Sequence, residues 1–420
     1  MRIIFHECKK AFSSPILVAL LLLFASFNIF LIFSHSDLKE ELQVANELTE
    51  TYGGKITPES WHRFKQDLQA DLVKLNEITR KKSGRDFHSV HEFLDSLHSK
   101  DRDLYSRQEW TFFTRLQVKE MYFALANSID SQYSQLDWRK IAELEVEKYQ
   151  LSGSAAMALL DGYDQLSQRF EQMKENGEHK QWFLAGKPYR MHSFLFRTMF
   201  GHLIFEALIL IVLATALISN FEFENGTHLV TYSTKRGRGL MPDKLAASLL
   251  TATAITAILL FGTLGAFFSV FDYSSLWGSS ISSAFNWEYN LPYVSWWNMS
   301  FATFLFCSIL LVYACMLLFS AIAFAISLFV KNNYFTFFLC AAGFAIALLL
   351  PGFMPSFASL MLITGFNPAV LVMNPHMFFM GNSGLTMFKH YETITVGVWT
   401  MIASAFCCIS VKTCKKQDIQ

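Results

Sequence analysis

Cysteine is scarce and absent from the part of the chain that would need it most. The seven cysteines are Cys8, Cys307, Cys315, Cys340, Cys407, Cys408 and Cys414, and none lies in the charged stretch from Asp37 to Arg197. No C-x-x-C pair and no zinc-ligand spacing occurs, so the thiols read as small buried hydrophobes or cytoplasmic thiols rather than a disulfide or metal framework. Charge is thin, 17% of 420 residues, and sums to zero, so nothing points to nucleic acid. Alternating apolar and polar residues of useful strand length are missing. Missing too are G-x-x-x-x-G-K-[ST], H-E-x-x-H, G-x-S-x-G and any paired-carboxylate motif in the apolar part. The chain therefore has no nucleotide-binding loop and no catalytic constellation, and it reads as a non-enzyme without a cofactor or metal of its own.

What remains is apolar. Hydrophobic residues make up 52% of the chain and aromatics 15%, with 42 Phe. Most charges fall between Asp37 and Arg197, the pattern of a polytopic membrane protein with one soluble insertion. Residues 1–14 carry Arg2, Lys9 and Lys10 beside Ile3, Ile4, Phe5, Cys8 and Phe12 at helical spacing, which predicts an amphipathic surface helix. Residues 15–33 are an uncharged run that ends without a small-x-small cleavage site, so it reads as an uncleaved first span rather than a signal peptide. Further spans are expected over Met199–Phe221, Leu245–Phe271, Phe301–Val330, Tyr334–Leu350 and Ile394–Val411. The stretch 351–393 is apolar but broken by Pro351, Pro355, Pro368 and Pro375, which suits short re-entrant or interfacial helices. The loop Asp272–Met299 has no Lys or Arg and holds Trp277, Trp287, Trp296 and Trp297, an interfacial aromatic signature. Basic residues cluster in the N-terminal segment, the loop 221–244, at Lys331 and in the tail 412–420. By the positive-inside rule both termini are then cytoplasmic and the insertion is outside.

The fold class is thus all-α: six transmembrane helices, an N-terminal elbow helix, and a mainly helical extracellular domain over residues 34–197. In that domain Trp61, Phe64, Leu68, Leu72, Leu75 and Ile78 recur at three and four after Pro58, as do Leu160, Tyr163, Leu166, Phe170 and Met173. His88, His91 and His98 lie near Glu92 and Asp95. Metal ligation is one reading and a solvated polar face the other. Within the region 198–411, Glu206 is an ionisable group inside a span, and His202 lies one turn away. Such a residue either lines a substrate path or makes a structural bond, here to His202 at i and i+4. The methionines of the broken segment suit soft-metal handling or adaptable packing.

The most informative stretch is the polar segment 221–244, FEFENGTHLVTYSTKRGRGLMPDK, lodged between two apolar runs. Asn225-Gly226 is a turn signal, Thr227 a candidate cap through its hydroxyl, and Lys235, Arg236, Arg238 and Lys244 a basic cluster. An ordinary cytoplasmic loop with snorkelling basic residues is the plain alternative. The pattern Glu-x-x-x-Gly-Thr, then Tyr-Ser-Thr-Lys-Arg-Gly-Arg, then a Lys opening the next span, resembles the first cytoplasmic loop of type-2 ABC exporter permeases. The matching positions are Glu222, Gly226, Thr227, Ser233, Arg236, Arg238 and Lys244. In that family the loop is a coupling helix seated in a groove of a separate ATPase subunit. Leu229 and Tyr232 would form part of its apolar docking edge here.

The family's plan resembles the chain along nearly its whole length: elbow helix, six spans, first inside loop, broken outer helices before the last span. The resemblance implies the permease subunit of an ATP-driven exporter in the cell membrane. ATP and Mg would sit on the partner ATPase, and the chain would form a homodimer or a heterodimer with a second permease. Cargo is open, with an amphipathic peptide antibiotic or a lipid-like molecule favoured over a cation. A membrane sensor or receptor whose outer domain binds an envelope ligand is the alternative from another class.

Overall fold

The computed structural model describes residues 2–98, 101–184, 191–234, 237–288, 291–353, 363–381 and 384–416. Six helices are long and apolar enough to cross a bilayer: Pro15–Ser34, Phe194–Glu224, Met241–Val270, Phe301–Val330, Asn333–Phe353 and Tyr391–Lys416. Each exceeds the roughly 17–25 residues a hydrocarbon core requires or falls within that range. The chain is a multi-pass membrane protein by this criterion. Among the described residues, named strands are confined to the pairing of Trp287–Glu288 with Leu291–Pro292.

The second span is the hub. It packs on the first, third, fourth and fifth spans, and 61% of its most apolar window is buried, against 6% for the fifth. The sixth span lies along the fourth, and the N-terminal helix Arg2–Phe12 lies across the second and third. The fifth span stays at the periphery, with Tyr334, Phe335, Phe338 and Ile346 exposed. Without a membrane, such a surface would be an unpaid hydrophobic cost; in lipid it is solvated. The second span opens with a π-helical stretch, Phe194–Met199, before continuing as α-helix from Phe200.

Residues 39–175 form six helices: Lys39–Tyr52, Pro58–Ser83, Val90–Ser96, Arg107–Ser134, Trp138–Lys148 and Gly153–Glu175. Their starts are locally encoded. Thr57 and Ser60 form a capping box around Pro58, Ser106 and Glu109 form a second, and Asp137 accepts from the Lys140 amide. Gly84, at φ 68°, closes the longest of the early helices in the left-handed conformation.

The insertion has two apolar clusters with different partners. The distal one, around Leu75, Phe93, Tyr105 and Phe113, is closed within the insertion. The proximal one, with Tyr122, Tyr163, Phe170 and Trp182, is continuous with the core of the span bundle. Trp182 stacks on Phe285 with ring centroids 5.5 Å apart, and Asn46 bonds both the Asp272 carbonyl (2.7 Å) and the Ser275 amide (3.0 Å). Arg169 is paired with Glu178 and donates to the Ser295 carbonyl at 3.0 Å, all buried.

The loop from Asp272 to Met299 therefore differs from a membrane-surface aromatic belt. Trp296 is buried and donates its indole N–H to the Thr386 carbonyl at 2.9 Å, while Trp287 and Trp277 pack on Tyr133 and Phe301. These rings serve as the joint between insertion and bundle. Buried indoles of this kind find a hydrogen-bond partner, which the backbone of the broken segment supplies.

That segment is broken as its prolines and glycines require. Its described parts are the turns Leu350–Phe353, Pro375–Met377 and Gly384–Met387 and the short helix Pro368–Val372, capped by the Asn367 side chain. Met380 and Met387 are fully buried in the core, so these two pack as apolar side chains. Pro355, Met354 and Met361 lie outside the described residues.

Candidate functional site

The insertion, the loop before the fourth span and the broken segment all meet at one end of the bundle. At the other end lie the N-terminal helix, the segment after the second span, the turn at Lys331 and the end of the sixth span. The segment 221–244 is built there residue by residue. Phe221 to Glu224 finish the second span, and Gly226 at φ 67° closes it: its amide bonds the Phe223 carbonyl (3.2 Å) and the Thr227 amide bonds the Glu222 carbonyl (2.8 Å). This double bond around a left-handed glycine is a Schellman closure, and it turns the chain out of the span.

A one-and-a-half-turn helix, His228–Ser233, follows. Thr227 stands at its N-cap, but through its carbonyl, which accepts the Thr231 amide at 3.0 Å; its hydroxyl makes no capping bond. The expectation of a hydroxyl cap is corrected on this point, because the closing Schellman turn already fixes the backbone there. Phe223 holds the helix by stacking on His228 (4.9 Å) and meeting Tyr232 (5.6 Å).

The expected apolar docking edge divides. Leu229 is 53% and Val230 72% exposed, whereas Tyr232 is only 8% exposed and faces Met241, Phe324 and Cys407. Leu229 sits on the open side; Tyr232 belongs to the support beneath it. Burial pushes the Tyr232 hydroxyl upward, so it stays a neutral phenol. Gly237 permits the return: a Cβ there would lie 2.6 Å from the Tyr232 carbonyl oxygen. Arg236 lies outside the described residues; Arg238 falls in the turn Gly237–Leu240.

Beneath this helix is a buried charge cluster. Lys244, fully buried, is ion-paired with Glu222 and donates to the Ile218 and Ser219 carbonyls at 2.9 Å each. Lys10 bridges Glu222 (2.8 Å) and Glu7 (2.7 Å) and lies 4.6 Å from the centre of the Phe221 ring. Three elements are thus tied together: N-terminal helix, second span and third span. Glu222 and Lys244 face inward and not toward an incoming partner. The sequence marks Lys10 only as a basic residue of the N-terminal helix, since its partner Glu222 is 212 residues distant in the chain, and gives no signal for Glu7.

Glu206 is also buried, but its partner is Asn28 of the first span, whose amide donates to the carboxylate at 2.7 Å and to the Thr263 hydroxyl at 3.3 Å. His202 does not bond Glu206. Its ring meets Phe27 edge-on at 5.3 Å, so the expected i, i+4 bond is replaced by contacts to the first span. Asn28 was overlooked, although a lone amide in an otherwise apolar run is a visible signal for an interhelical bond.

Beside the second span is a cavity of about 400 Å³, lined by the second, fourth, fifth and sixth spans and the short helix Pro368–Val372. Its walls are nearly all apolar, with Asn367 and Trp399 among the few polar groups. In the insertion, His91 pairs with Asp95 at 3.3 Å on the surface and the Glu92 side chain caps the His88 amide at 2.8 Å. Among the described residues no three His, Cys, Asp or Glu side chains converge as a metal site.

No protein-family model, curated protein or solved structure matches the chain.

Proposed function

We propose that the chain is the membrane subunit of an ATP-driven exporter, with its segment 221–244 seated in a separate ATPase subunit that binds ATP and Mg. The observation that carries this is the short helix His228–Ser233, which presents Leu229 and Val230 outward while its base is riveted to three other elements. An exposed aliphatic pair on a small, rigidly mounted helix suits docking into a groove. Force applied there reaches the second span through Gly226 and Phe223, and the third span and N-terminal helix through the Glu222–Lys244–Lys10 cluster. A rigid-body rocking of these elements would change which end of the path is open.

The basic residues at this end support a cytoplasmic position for it and for both termini, and an insertion outside the cell. The barely buried fifth span supports assembly with a second permease, identical or related. The apolar cavity of about 400 Å³ favours an amphipathic or lipid-like cargo over a hydrated cation. Glu206 serves as an anchor between the first and second spans and does not line that cavity. The continuity of the insertion's core with the bundle also suits a receptor that passes an outside event inward. Affinity purification from the native membrane distinguishes the two. An ATPase recovered in a fixed ratio supports the exporter, and a kinase recovered in its place overturns it.

A further inference from the structure

Between the N-terminal helix, the last turn of the second span and the first residue of the fifth span runs a groove of about 560 Å³. The N-terminal helix contributes Lys9 and the following Ser13; the second span contributes Phe221, Glu224 and Asn225; the fifth span begins with Asn333. Lys10 also lines it, but its ammonium is already held by Glu7 and Glu222. Among the described residues that line the groove, this leaves Lys9 and Glu224 as the open cation and anion, beside the imidazole of His6. Lys9 is exposed and has no ion pair among the described residues. Glu224 is exposed and accepts a single bond, from the Asn333 amide at 3.0 Å.

The same asparagine has a second relevant atom. Its side-chain oxygen is buried and has no hydrogen-bond partner among the described residues. A buried acceptor without a donor is costly, which favours a turn of the Asn333 side chain into the groove, where a ligand N–H would satisfy it. The groove thus offers an ammonium and a serine hydroxyl from the N-terminal helix, and a carboxylate and an unfilled carbonyl-type oxygen around Asn333. A phosphodiester bearing a primary amine matches both sets, phosphate to Lys9 and amine to Glu224 and Asn333. A choline headgroup has no N–H to give, and a glycerol headgroup has no positive charge for Glu224.

The surroundings say where such a ligand comes from. Phe5 of the N-terminal helix, and Tyr334 and Phe335 at the start of the fifth span, adjoin the lining residues His6 and Asn333 in the chain and are 71%, 78% and 65% exposed. Exposed aromatic rings at that level lie among lipid headgroups and upper acyl chains. We propose that this groove is a binding site for an aminophospholipid of the phosphoethanolamine type. The site does not depend on the exporter reading.

The test uses the full-length protein, purified in detergent and stripped of lipid. Dioleoyl lipids with ethanolamine, choline or glycerol headgroups are added at matched concentration, and retained lipid is counted by native mass spectrometry. The ethanolamine lipid should be kept in preference to both others. Lys9→Gln should lower retention of all three phosphodiester lipids by about threefold, the range of one exposed charge contact, with Lys9→Arg retaining them, and should leave ethanolamine preferred over choline. Glu224→Gln should turn the preference toward the glycerol lipid, because only the cation is left. Comparing lipids within each variant cancels any general loss of stability. Equal retention of all three by the wild type overturns the site, as does an ethanolamine preference that survives Glu224→Gln or a retention that Lys9→Gln leaves unchanged. A wild-type preference for the glycerol lipid overturns the role of Glu224 and with it the assignment. Soluble glycerophosphoethanolamine should compete only weakly; if it displaces the lipid at equal concentration, a bilayer source is overturned.

Discussion

Lys244 and Glu222 form an ion pair in which the lysine is wholly removed from solvent, twenty-two residues apart in sequence and on adjacent helices. The pair joins the end of the second span to the start of the third across the base of the segment between them. Two span carbonyls complete the ammonium's shell, and Lys10 shares the carboxylate. A buried pair of this kind gains little over an apolar replacement of both members, but loses much when one is removed alone.

Lys244→Met should therefore lower unfolding stability by about 3–5 kcal/mol, because it leaves a buried carboxylate undercompensated. The double variant Lys244→Met with Glu222→Leu should recover most of that loss. Thermal unfolding of the purified protein in one detergent, for the two singles and the double, reads the cycle. Additive losses would mean that the two residues do not act as a pair.

Asn28 and Glu206 give a second cycle, inside the apolar part of the bundle. Asn28→Leu removes the only donor that Glu206 has among the described residues, at a cost of about 1–3 kcal/mol. Asn28→Leu with Glu206→Leu should be close to neutral in stability, since no carboxylate then stays unpaired and the Thr263 hydroxyl can turn to a carbonyl of its own helix. If the double variant is the least stable of the three, Glu206 has a further partner and the anchoring role assigned to it is wrong.

His192 sets an acid limit. It is buried among Phe196, Tyr293 and Phe304, with ring centroids 4.9, 4.9 and 5.9 Å away, and desolvation pushes its pKa down to about 3. Nearby His376 is held down to about 4, first by burial and then by the charge of Arg197. Both folded values lie below the ordinary imidazole value near 6.5. The unfolded chain then binds more protons between those values, so stability is fully present above about pH 6.5 and falls as the pH drops toward 4. His192→Phe should flatten that fall while leaving the melting temperature at pH 8 little changed. An unaltered pH slope in His192→Phe would assign the acid sensitivity elsewhere.

The spans were legible because lipid demands long apolar helices, and no packing detail is needed to see a run such as Pro15–Ser34. The helix starts in the insertion were legible because Thr57, Ser106 and Asp137 act within their own first turns. The turn at Asn225-Gly226 was legible for the same reason. What escaped is long-range. Nothing near Lys244 in sequence distinguishes a buried ammonium from a snorkelling one, and Trp296 looks alike on a bilayer surface and against Thr386. Tyr232 fell on the wrong side of its helix because six residues define a face poorly, and Phe223 and Met241 decide it from outside.

The exposed pair Leu229 and Val230 provides the decisive test of the coupling segment. Both side chains lie open on a helix whose other face is fixed by Phe223 and Tyr232, so changing them should not disturb the fold beneath. If the segment docks into an ATPase groove, each buried aliphatic side chain is worth about 1.5–3 kcal/mol, or roughly tenfold or more in affinity. Leu229→Asp should thus weaken recovery of the ATPase by at least about tenfold, and Val230→Asp should do the same. Tyr232→Ala is the contrasting variant. It empties a buried position, so it should lower thermal stability as well as coupling, whereas the two aspartate variants should unfold at the wild-type temperature. Membrane insertion, melting temperature, ATPase recovery and ATPase stimulation, measured on all three, separate support from contact. If Leu229→Asp and Val230→Asp insert, fold and recruit the ATPase at wild-type levels, the outward aliphatic pair is lipid-facing rather than a docking edge. The exporter assignment would then lose the observation that carries it.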